Sequence, residues 1–395
     1  MGIVKSLWMR DEDRGWSDPE THVCLGCVGQ DTYLRSLVRK GLTTNTCNYC
    51  ESKSRKAAPV SVIMDAVLRG VKYSFNDEAS AGCPYTKDIE IDYQTSEDVL
   101  YQVLHSDGVD WPDALVGDVA SAFANEGWVE APDGSWMGAH QHERLHWSWN
   151  SFAEAVKHRS RFHFQTRKRS SRWGDDAVAV EDMLPFIGRL VRQHRMVRKL
   201  PMSTVLHRVR LGTWPSSVAE LGPPPKELAG AGRMNPAGIP YLYLAFDEKT
   251  ALAETRSKAG VAATISSWSP ARDLHVIDLL SLPACPSIFS EMRHEYHLVQ
   301  FLWAFVSEIT QSVAHDGREH IEYVPTQVVS EYFAQAFQYG DRKRVDGLIY
   351  PSAVSEGGKN LVVFPNTGGG LSKFDLMKLR AANSGRVNRR RDAVR

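Results

Sequence analysis

The chain has 395 residues, of which 43% are hydrophobic and 24% are charged, and these values are ordinary for globular proteins. At roughly 150 residues per domain, this length predicts two or three domains. The formal net charge is zero, so no overall positive field marks the chain as a binder of nucleic acid or of a membrane surface. No stretch reaches the roughly 20 apolar residues of a membrane-spanning helix, and Met1–Trp16 lacks the apolar core of a secretory signal.

Four of the six cysteines form two matched pairs near the start of the chain, with the spacing C-x2-C-x19-C-x2-C: Cys24, Cys27, Cys47 and Cys50. Each CxxC turn presents two sulfurs to one metal, and Zn²⁺ favours four thiolates in a tetrahedron. A redox motif would instead have one CxxC that opens a helix after a strand. We therefore predict a structural zinc in a module of residues 1–56, and a reducing cytoplasm as the location.

Residues 57–200 are predicted to form a mainly helical domain. Apolar residues repeat at helical spacing over Val60–Leu68 and again over Val180–Val191. Further helices are predicted over 96–104, 113–126 and 151–156.

Two basic clusters stand out, one over Lys157–Arg172 and one in the last residues, 371–395. The first cluster is interleaved with Phe162 and Phe164, and basic residues combined with aromatic ones are typical of nucleic-acid binding. The neutral overall charge gives that interpretation no support. A solvated face and a basic tail are the expected alternatives.

After Pro201 the pattern alternates between short strands and helices, which predicts an α+β domain over residues 201–370. Strands are predicted at Val205–Val209, Tyr241–Ala245, Leu274–Ile277, Leu348–Tyr350 and Leu361–Phe364. Helices are predicted at Thr250–Lys258, Glu291–Gln311 and Gln327–Phe337. The long helix Glu291–Gln311 carries an apolar stripe that fits central packing.

Five polar residues of this domain are candidates for a site: Arg208, Arg233, Tyr243, Glu254 and Ser352. Arg233 follows the flexible loop Gly230–Gly232, where an arginine fork suits phosphate or carboxylate. Each residue also has an ordinary structural interpretation. Arg208 fits a strand ion pair, Tyr243 a core position and Glu254 a helix surface charge, while Ser352 fits a turn cap.

In combination and in order, these residues resemble the RES family, which is named for its arginine, glutamate and serine. The family comprises bacterial NAD⁺-degrading enzymes that are often deployed as toxins. The resemblance extends from Leu206 to Phe364 and includes the segments LHRVR, GRMNP, LYLA, ALAE, VDGLIYPS and NLVVF. The first half of the chain, with its two CxxC pairs and the helix between them, resembles the HEPN/RES N-terminal domain that precedes some RES domains.

This resemblance implies a fold akin to that of ADP-ribosyltransferases and cleavage of the nicotinamide–ribose bond of NAD⁺. It implies that Arg208 and Arg233 hold the pyrophosphate and that Tyr243 stacks on nicotinamide. Glu254 would stabilise the ribose cation, and Ser352 would bind the amide or the ribose. Glu254, Arg233 and Ser352 are thus the predicted catalytic residues. The acceptor stays open between phosphate and water, and an antitoxin protein and a second copy of the chain stay open as partners.

Two rival functions fit parts of the same sequence. The ribose cation is also open to attack by a protein or nucleic-acid nucleophile, which would make the chain a transferase. Arg189 and His194 match the Arg-x4-His spacing of HEPN ribonucleases. Residues five apart lie about 140° around a helix axis, so this pair does not share one helix face.

Overall fold

The structure is a computed structural model that describes residues 9–50, 56–83, 91–125, 127–136, 138–164, 178–311, 313, 317–365 and 376–387. The chain forms two compact units, each built from two segments of sequence. The first unit comprises Met1–Arg144 with Ala284–Gln300, and the second comprises Leu145–Pro283 with Phe301–Arg395. The domain limits expected at residues 56, 200 and 370 stay predictions, and the two units divide the chain at other positions.

The first unit is mainly helical. Its helices are Thr32–Lys40 (α1), Ser61–Val71 (α2), Glu78–Ala81 (α3), Ser96–Ser106 (α4) and Asp113–Ala122 (α5), and Gln141–Glu154 (α6) begins in it. Its short strands are His22–Val23 (β1), Ala58–Pro59 (β2), Phe75–Asn76 (β3), Gln94–Thr95 (β4) and Gly127–Glu130 (β5). β1 pairs with β2, and β5 lies between β3 and β4.

Side-chain caps fix where two helices of this unit begin. Asp31 accepts a hydrogen bond from the backbone N–H of Leu34 at 2.6 Å at the start of α1. Thr95 and Asp98 form a reciprocal capping box at the start of α4. Such caps satisfy N–H groups that the first helical turn leaves unpaired. The apolar faces of these helices then share one core with residues of both CxxC pairs, including Cys24, Cys47, Leu34, Ile63, Met64, Val99, Leu115, Trp128 and Phe289.

The carboxyl group of Asp107, at the end of α4, provides a test of this packing. Burial and then the nearby Asp31 raise the pKa of Asp107 to about 6. A raised folded-state pKa stabilises the fold fully below about pH 4, and this contribution is lost as the pH rises through about 6. We therefore expect Asp107→Asn to stabilise the protein by about 1 kcal/mol at pH 7.5, a value discounted for solvent screening. Urea unfolding at pH 7.5 and pH 4 measures this effect, and an equal effect at both pH values would contradict it.

The second unit holds an eight-stranded mixed sheet, so the chain has the α+β class that its sequence predicts. The strands are Val197–Leu200 (β6), Leu206–Leu211 (β7), Leu242–Ala245 (β8), Ala262–Pro270 (β9), Leu274–Asp278 (β10), Gly347–Pro351 (β11), Lys359–Val363 (β12) and Met377–Arg386 (β13). Their order is β13-β9-β7-β8-β12-β11-β10-β6. Within the described strands, β10 and β11 run parallel and the other neighbours in this sheet run antiparallel.

The helices of the second unit lie between these strands along the chain. They are Met183–Gln193 (α7), Val218–Leu221 (α8), Glu248–Glu254 (α9), Tyr296–Thr310 (α10), Glu319–Glu322 (α11) and Val324–Gln335 (α12), and a π-helical turn, Ala155–Arg159, follows α6. The unit boundaries fall within α6 and α10. No helix of the described residues is long and apolar enough to cross a membrane.

The five strands that the sequence predicts correspond to β7, β8, β10, β11 and β12. The strands β6, β9 and β13 are additional. β13 corrects the expectation that all of residues 371–395 form a tail, because Met377–Arg386 pair with β9 at the edge of the sheet. The basic residues Arg389, Arg390, Arg391 and Arg395 lie outside the described residues, as do residues 165–172 of the first basic cluster.

Candidate active site

One face of the central strands carries most of the candidate site. Directly opposed residues of an antiparallel pair project to the same face, and residues along a strand alternate between faces. His207 lies opposite Ala245, and Ala245 lies opposite Asn360. Asn360 in turn lies opposite Tyr350, and Tyr243 shares the face of Ala245 because it lies two residues away. The other face carries core leucines, among them Leu206, Leu242, Leu244 and Leu361.

A cavity of about 340 Å³ opens at these strands and at α9. It is lined by His207, Arg208, Val209, Tyr243, Leu244, Ala245, Ala251, Glu254, Thr255, Tyr350 and Asn360. Small-molecule sites usually have volumes of about 300–1,000 Å³ and combine apolar walls with a few polar groups. The size and lining of this cavity therefore fit a small-molecule site.

Glu254 is the acidic residue of the cavity and the last residue of α9. The helix begins at the cap Asp247, whose carboxylate accepts hydrogen bonds from the backbone N–H of Thr250 at 2.7 Å and from its hydroxyl at 2.8 Å. At the other end, Oε1 of Glu254 accepts hydrogen bonds from Ser352 Oγ at 2.7 Å and from Asn360 Nδ2 at 2.6 Å. These two donors fix the carboxylate at the cavity while engaging only one of its oxygens.

Ser352 caps the turn after β11, as one of its two sequence interpretations expects, and its contact with the amide or the ribose stays a prediction. It follows β11, and its backbone N–H donates to the carbonyl of Gly358 at 2.8 Å. Its Oγ accepts hydrogen bonds from the backbone N–H groups of Val354 at 3.3 Å and Ser355 at 3.1 Å. The same hydroxyl donates to Glu254. Ser352 thus stabilises the turn between β11 and β12 and connects that turn to the carboxylate.

Tyr243 connects the cavity wall to the glycine-rich loop. Its hydroxyl donates to Asn235 Oδ1 at 2.7 Å and accepts from the backbone N–H of Met234 at 3.1 Å. Burial raises the pKa of Tyr243 well above its usual value. The amide of buried Asn235 donates to the carbonyls of Gly230, Pro236 and Ile239, each at 3.0 Å, so Asn235 shapes the loop. The Tyr243 ring lines the cavity while its hydroxyl holds the loop.

Tyr243→Phe tests this connection. We expect a loss of stability of about 1–2 kcal/mol, because the substitution removes two hydrogen bonds and leaves Asn235 Oδ1 without its donor and the N–H of Met234 without its acceptor. The ring stays in place, so KM for the substrate is expected to rise more than kcat falls. Denaturant unfolding and steady-state kinetics measure the two effects. An unchanged unfolding midpoint would contradict the role assigned to the hydroxyl.

Arg233 lies near this wall, although it is not one of the residues lining the cavity. Its guanidinium donates to the carbonyl of Thr310 and lies 5.9 Å from the centre of the Tyr323 ring. Its positive charge acts to lower the pKa values of Tyr243 and Tyr350, against the larger effect of burial. Arg233 is thus close enough to act on charges at the cavity wall.

Arg208 has a different environment from the one its sequence position suggests. On β7 it alternates with His207, and although Arg208 also lines the cavity, its guanidinium is directed to the loop after β7. The guanidinium donates to the carbonyls of Leu221 and Gly222, at 3.0 Å for Leu221. Burial, and then the like charge of Arg210, lowers the pKa of Arg208 to about 10. Here Arg208 anchors the loop after β7, and its contact with a pyrophosphate stays a prediction.

Three cavity residues were missed as site residues on the sequence alone: His207, Tyr350 and Asn360. Their signal is strand alternation, since Asn360 precedes the buried Leu361 and therefore faces away from the core. Burial raises the pKa of Tyr350 well above its usual value, which keeps its hydroxyl protonated.

The four cysteines of the CxxC pairs come together in the first unit. Their Sγ atoms all lie within 4.8 Å of one another, and Cys24, Cys27 and Cys47 are buried. The Cys24–Cys50 and Cys27–Cys47 sulfur distances are 3.9 Å and 3.8 Å. Thiolates about 2.3 Å from one tetrahedral zinc lie about 3.8 Å apart. The backbone N–H of Cys24 also donates to Cys47 Sγ at 3.3 Å, so the cluster has the geometry of a metal-binding knuckle.

The pair on which the nuclease alternative depends, Arg189 and His194, lies in and next to α7. Arg189 lies on α7 with its guanidinium 5.5 Å from the centre of the Phe186 ring. His194 ends that helix as its C-cap. One residue therefore lies within the helix and the other at its end, and the two do not share one helix face.

Two family models match the chain. The model of HEPN/RES N-terminal domain 1 matches residues 40–170, and the model of the RES domain matches residues 205–375. The chain therefore carries both domains, in the order that its motifs predict. RES domains form a toxin-like enzyme family that is related to NAD use. No curated protein and no solved structure matches the chain.

The candidate residues differ in which of the two matched ranges contains them. Arg208, Arg233, Tyr243, Glu254 and Ser352 all lie within the RES match. Cys47 and Cys50 lie within the N-terminal match, and Cys24 and Cys27 precede it. Arg189 and His194 lie outside both ranges.

Proposed function

We propose that this chain, which joins a HEPN/RES N-terminal domain to a RES domain, is an enzyme that cleaves the nicotinamide–ribose bond of NAD⁺. The observation that supports this most directly is the hydrogen bonding of the Glu254 carboxylate. One carboxylate oxygen is held by Ser352 and Asn360, and the other has no hydrogen bond to any residue that the structure describes.

That free oxygen suits the chemistry of a glycosidic bond. When the C1–N bond to nicotinamide breaks, both bonding electrons leave with the nicotinamide nitrogen and positive charge develops on the ribose. A carboxylate fixed beside this centre stabilises the charge without having to reorganise. Glu254 can therefore stabilise the cation or hold a ribose hydroxyl through its second oxygen.

The surrounding residues fit the rest of the substrate. The Tyr243 ring offers a flat surface for nicotinamide, since aromatic rings favour stacked arrangements. We assign Arg233 to the pyrophosphate, because a guanidinium binds phosphate through paired hydrogen bonds. Arg208 is assigned to the same group, and this role requires it to exchange its carbonyl partners in the loop after β7 for phosphate oxygens. We also propose that the sheet and helices of this unit form an ADP-ribosyltransferase-like fold.

Product analysis tests the reaction. Purified protein is incubated with NAD⁺, with and without phosphate, and the products are separated by chromatography and identified by mass. Nicotinamide is the expected product in either case, with ADP-ribose from water or ADP-ribose 1-phosphate from phosphate. Intact NAD⁺ accompanied by RNA cleavage would refute the enzyme assignment in favour of a nuclease. ADP-ribose attached to added protein or nucleic acid would identify a transferase.

We propose further that the cysteine cluster holds a structural Zn²⁺. Four sulfurs occupy all positions of a tetrahedral ion and leave none for a substrate. The ion would stabilise the first unit, whose core includes Cys24, Cys27 and Cys47.

The biological setting that we propose is that of a bacterial toxin or defence effector in the cytoplasm. The toxin-like character of the RES family supports the first part. Free cysteines that gather in one cluster with the geometry of a metal site, rather than in disulfides, support a reducing compartment. An antitoxin protein is then the expected partner.

A further inference from the structure

The register of β7 brings an unassigned histidine to the catalytic face. His207 lies opposite Ala245, so its imidazole shares a face with Tyr243, Asn360 and Tyr350, and His207 lines the same cavity as Glu254. The neighbouring Arg208 also lines the cavity, but its guanidinium is engaged by the carbonyls of Leu221 and Gly222. At this point of the strand, the group that faces the reaction is therefore an imidazole.

One ring nitrogen of His207 is unsatisfied. Its Nδ1 is buried and has no hydrogen-bond partner in the described structure. The nearest acidic atom is Oε1 of Glu248, at 3.6 Å, and Glu248 is largely exposed at the start of α9. A carboxylate on this side favours the tautomer with the proton on Nδ1, which leaves Nε2 as a proton acceptor. Buried polar groups without partners are rare in proteins, which favours Glu248 as the partner that Nδ1 takes across this 3.6 Å gap.

We propose that His207 is the residue that accepts the proton of the attacking water, with Glu248 as its positioning residue. This inference rests on the proposed cleavage of NAD⁺. The C1–N bond breaks and its electron pair leaves with nicotinamide. The water oxygen forms the new bond to C1, one water proton passes to Nε2 of His207, and ADP-ribose is released. The imidazolium then returns the proton to solvent, so neither a metal nor a redox partner is needed.

The same residue distinguishes two acceptors. Water must lose a proton when it attacks, so a base raises its rate. A phosphate dianion attacks without losing a proton and needs no base. His207 therefore promotes hydrolysis over phosphorolysis, and its replacement is expected to shift the products from ADP-ribose towards ADP-ribose 1-phosphate.

The test compares full-length wild type, His207→Gln, Glu248→Gln and a control, His275→Gln, which removes a histidine of the same sheet from β10. Nicotinamide, ADP-ribose and ADP-ribose 1-phosphate are quantified at several phosphate concentrations, and thermal melting checks the fold of each variant. His207→Gln is expected to lower ADP-ribose formation by about 10²-fold or more, the usual contribution of a general base. Glu248→Gln is expected to lower it less, and His275→Gln is expected to behave as wild type.

The outcomes separate this inference from the proposed function. Wild-type protein that releases nicotinamide, together with a folded His207→Gln variant that makes ADP-ribose at the wild-type rate, overturns the role of His207 and leaves NAD⁺ cleavage standing. Nicotinamide release without any ADP-ribose from wild type overturns it as well. Wild-type protein that releases no nicotinamide refutes the proposed function itself, and His207 then has no reaction to serve. A variant that fails to melt cooperatively is replaced by His207→Asn, to which the same criteria apply.

Discussion

Replacement of Glu254 by glutamine is expected to lower the rate of nicotinamide release from NAD⁺ on the order of 10³-fold, which corresponds to roughly 4 kcal/mol of transition-state stabilisation. Glutamine keeps the shape of the side chain, and its carbonyl oxygen can still accept hydrogen bonds from Ser352 and Asn360. What it lacks is the negative charge that the developing ribose cation requires. The measurement is a time course of nicotinamide by liquid chromatography under saturating NAD⁺.

The matched control is Glu331→Gln, which neutralises an exposed glutamate of α12 away from the residues that line the cavity. Its rate is expected to equal that of wild type. Thermal melting of both variants separates a chemical effect from loss of fold. If the Glu254→Gln protein is folded and cleaves NAD⁺ within about tenfold of the wild-type rate, the carboxylate is not the group that stabilises the cation.

Cys47→Ser is expected to release zinc and to lower the melting temperature of the first unit by more than about 10 °C, because structural zinc contributes on the order of 10 kcal/mol in small modules. Cys47 is buried in the core of that unit, and its Sγ atom lies 3.8 Å from the Sγ atom of Cys27. Its loss leaves three ligands around the ion and a hydroxyl in place of the fourth. Metal analysis of the purified protein and thermal unfolding measure the two effects.

Cys285→Ser is the control, because Cys285 is an exposed cysteine outside the cluster. It is expected to keep the zinc content and melting temperature of wild type. Folded wild-type protein that contains no zinc would rule out the structural ion. Zinc that persists at full occupancy in Cys47→Ser would show that Cys47 is not a ligand.

The limits of sequence-based prediction are clearest at the edges of the sheet. β8, β10, β11 and β12 contain apolar runs, and β7 contains leucine and valine between polar residues; these patterns predict strands. β13 reads MKLRAANSGR and is mostly exposed, so it has neither alternation nor strong strand propensity. It is a strand because its backbone pairs with β9, whose own sequence, AATISSWSP, is rich in small polar residues. Pairing of this kind is a tertiary effect that a local pattern does not contain.

Some features of the site could likewise be predicted from the sequence, and others could not. The order of motifs predicts that Glu254, Ser352 and Tyr243 converge, and the structure places Ser352 on Glu254 and Tyr243 in the same cavity wall. The sequence alone does not predict which face of β7 meets them. That depends on the pairing of His207 with Ala245, which is decided by how two distant segments align. The alternation of β7 thus directs the Arg208 guanidinium to the loop after β7 and brings the His207 side chain to the face of Tyr243.

The two hydrogen bonds to Glu254 restrict the length of the turn between β11 and β12. Ser352 closes β11, Asn360 lies near the start of β12, and both donate to one carboxylate oxygen. A single inserted or deleted residue in the turn between them would exchange the two faces of whichever strand shifted, and would present an apolar neighbour such as Leu361 in place of Asn360. Most surface turns tolerate changes in length. The length of this turn is instead fixed, because the residues at its two ends must both reach the Glu254 carboxylate.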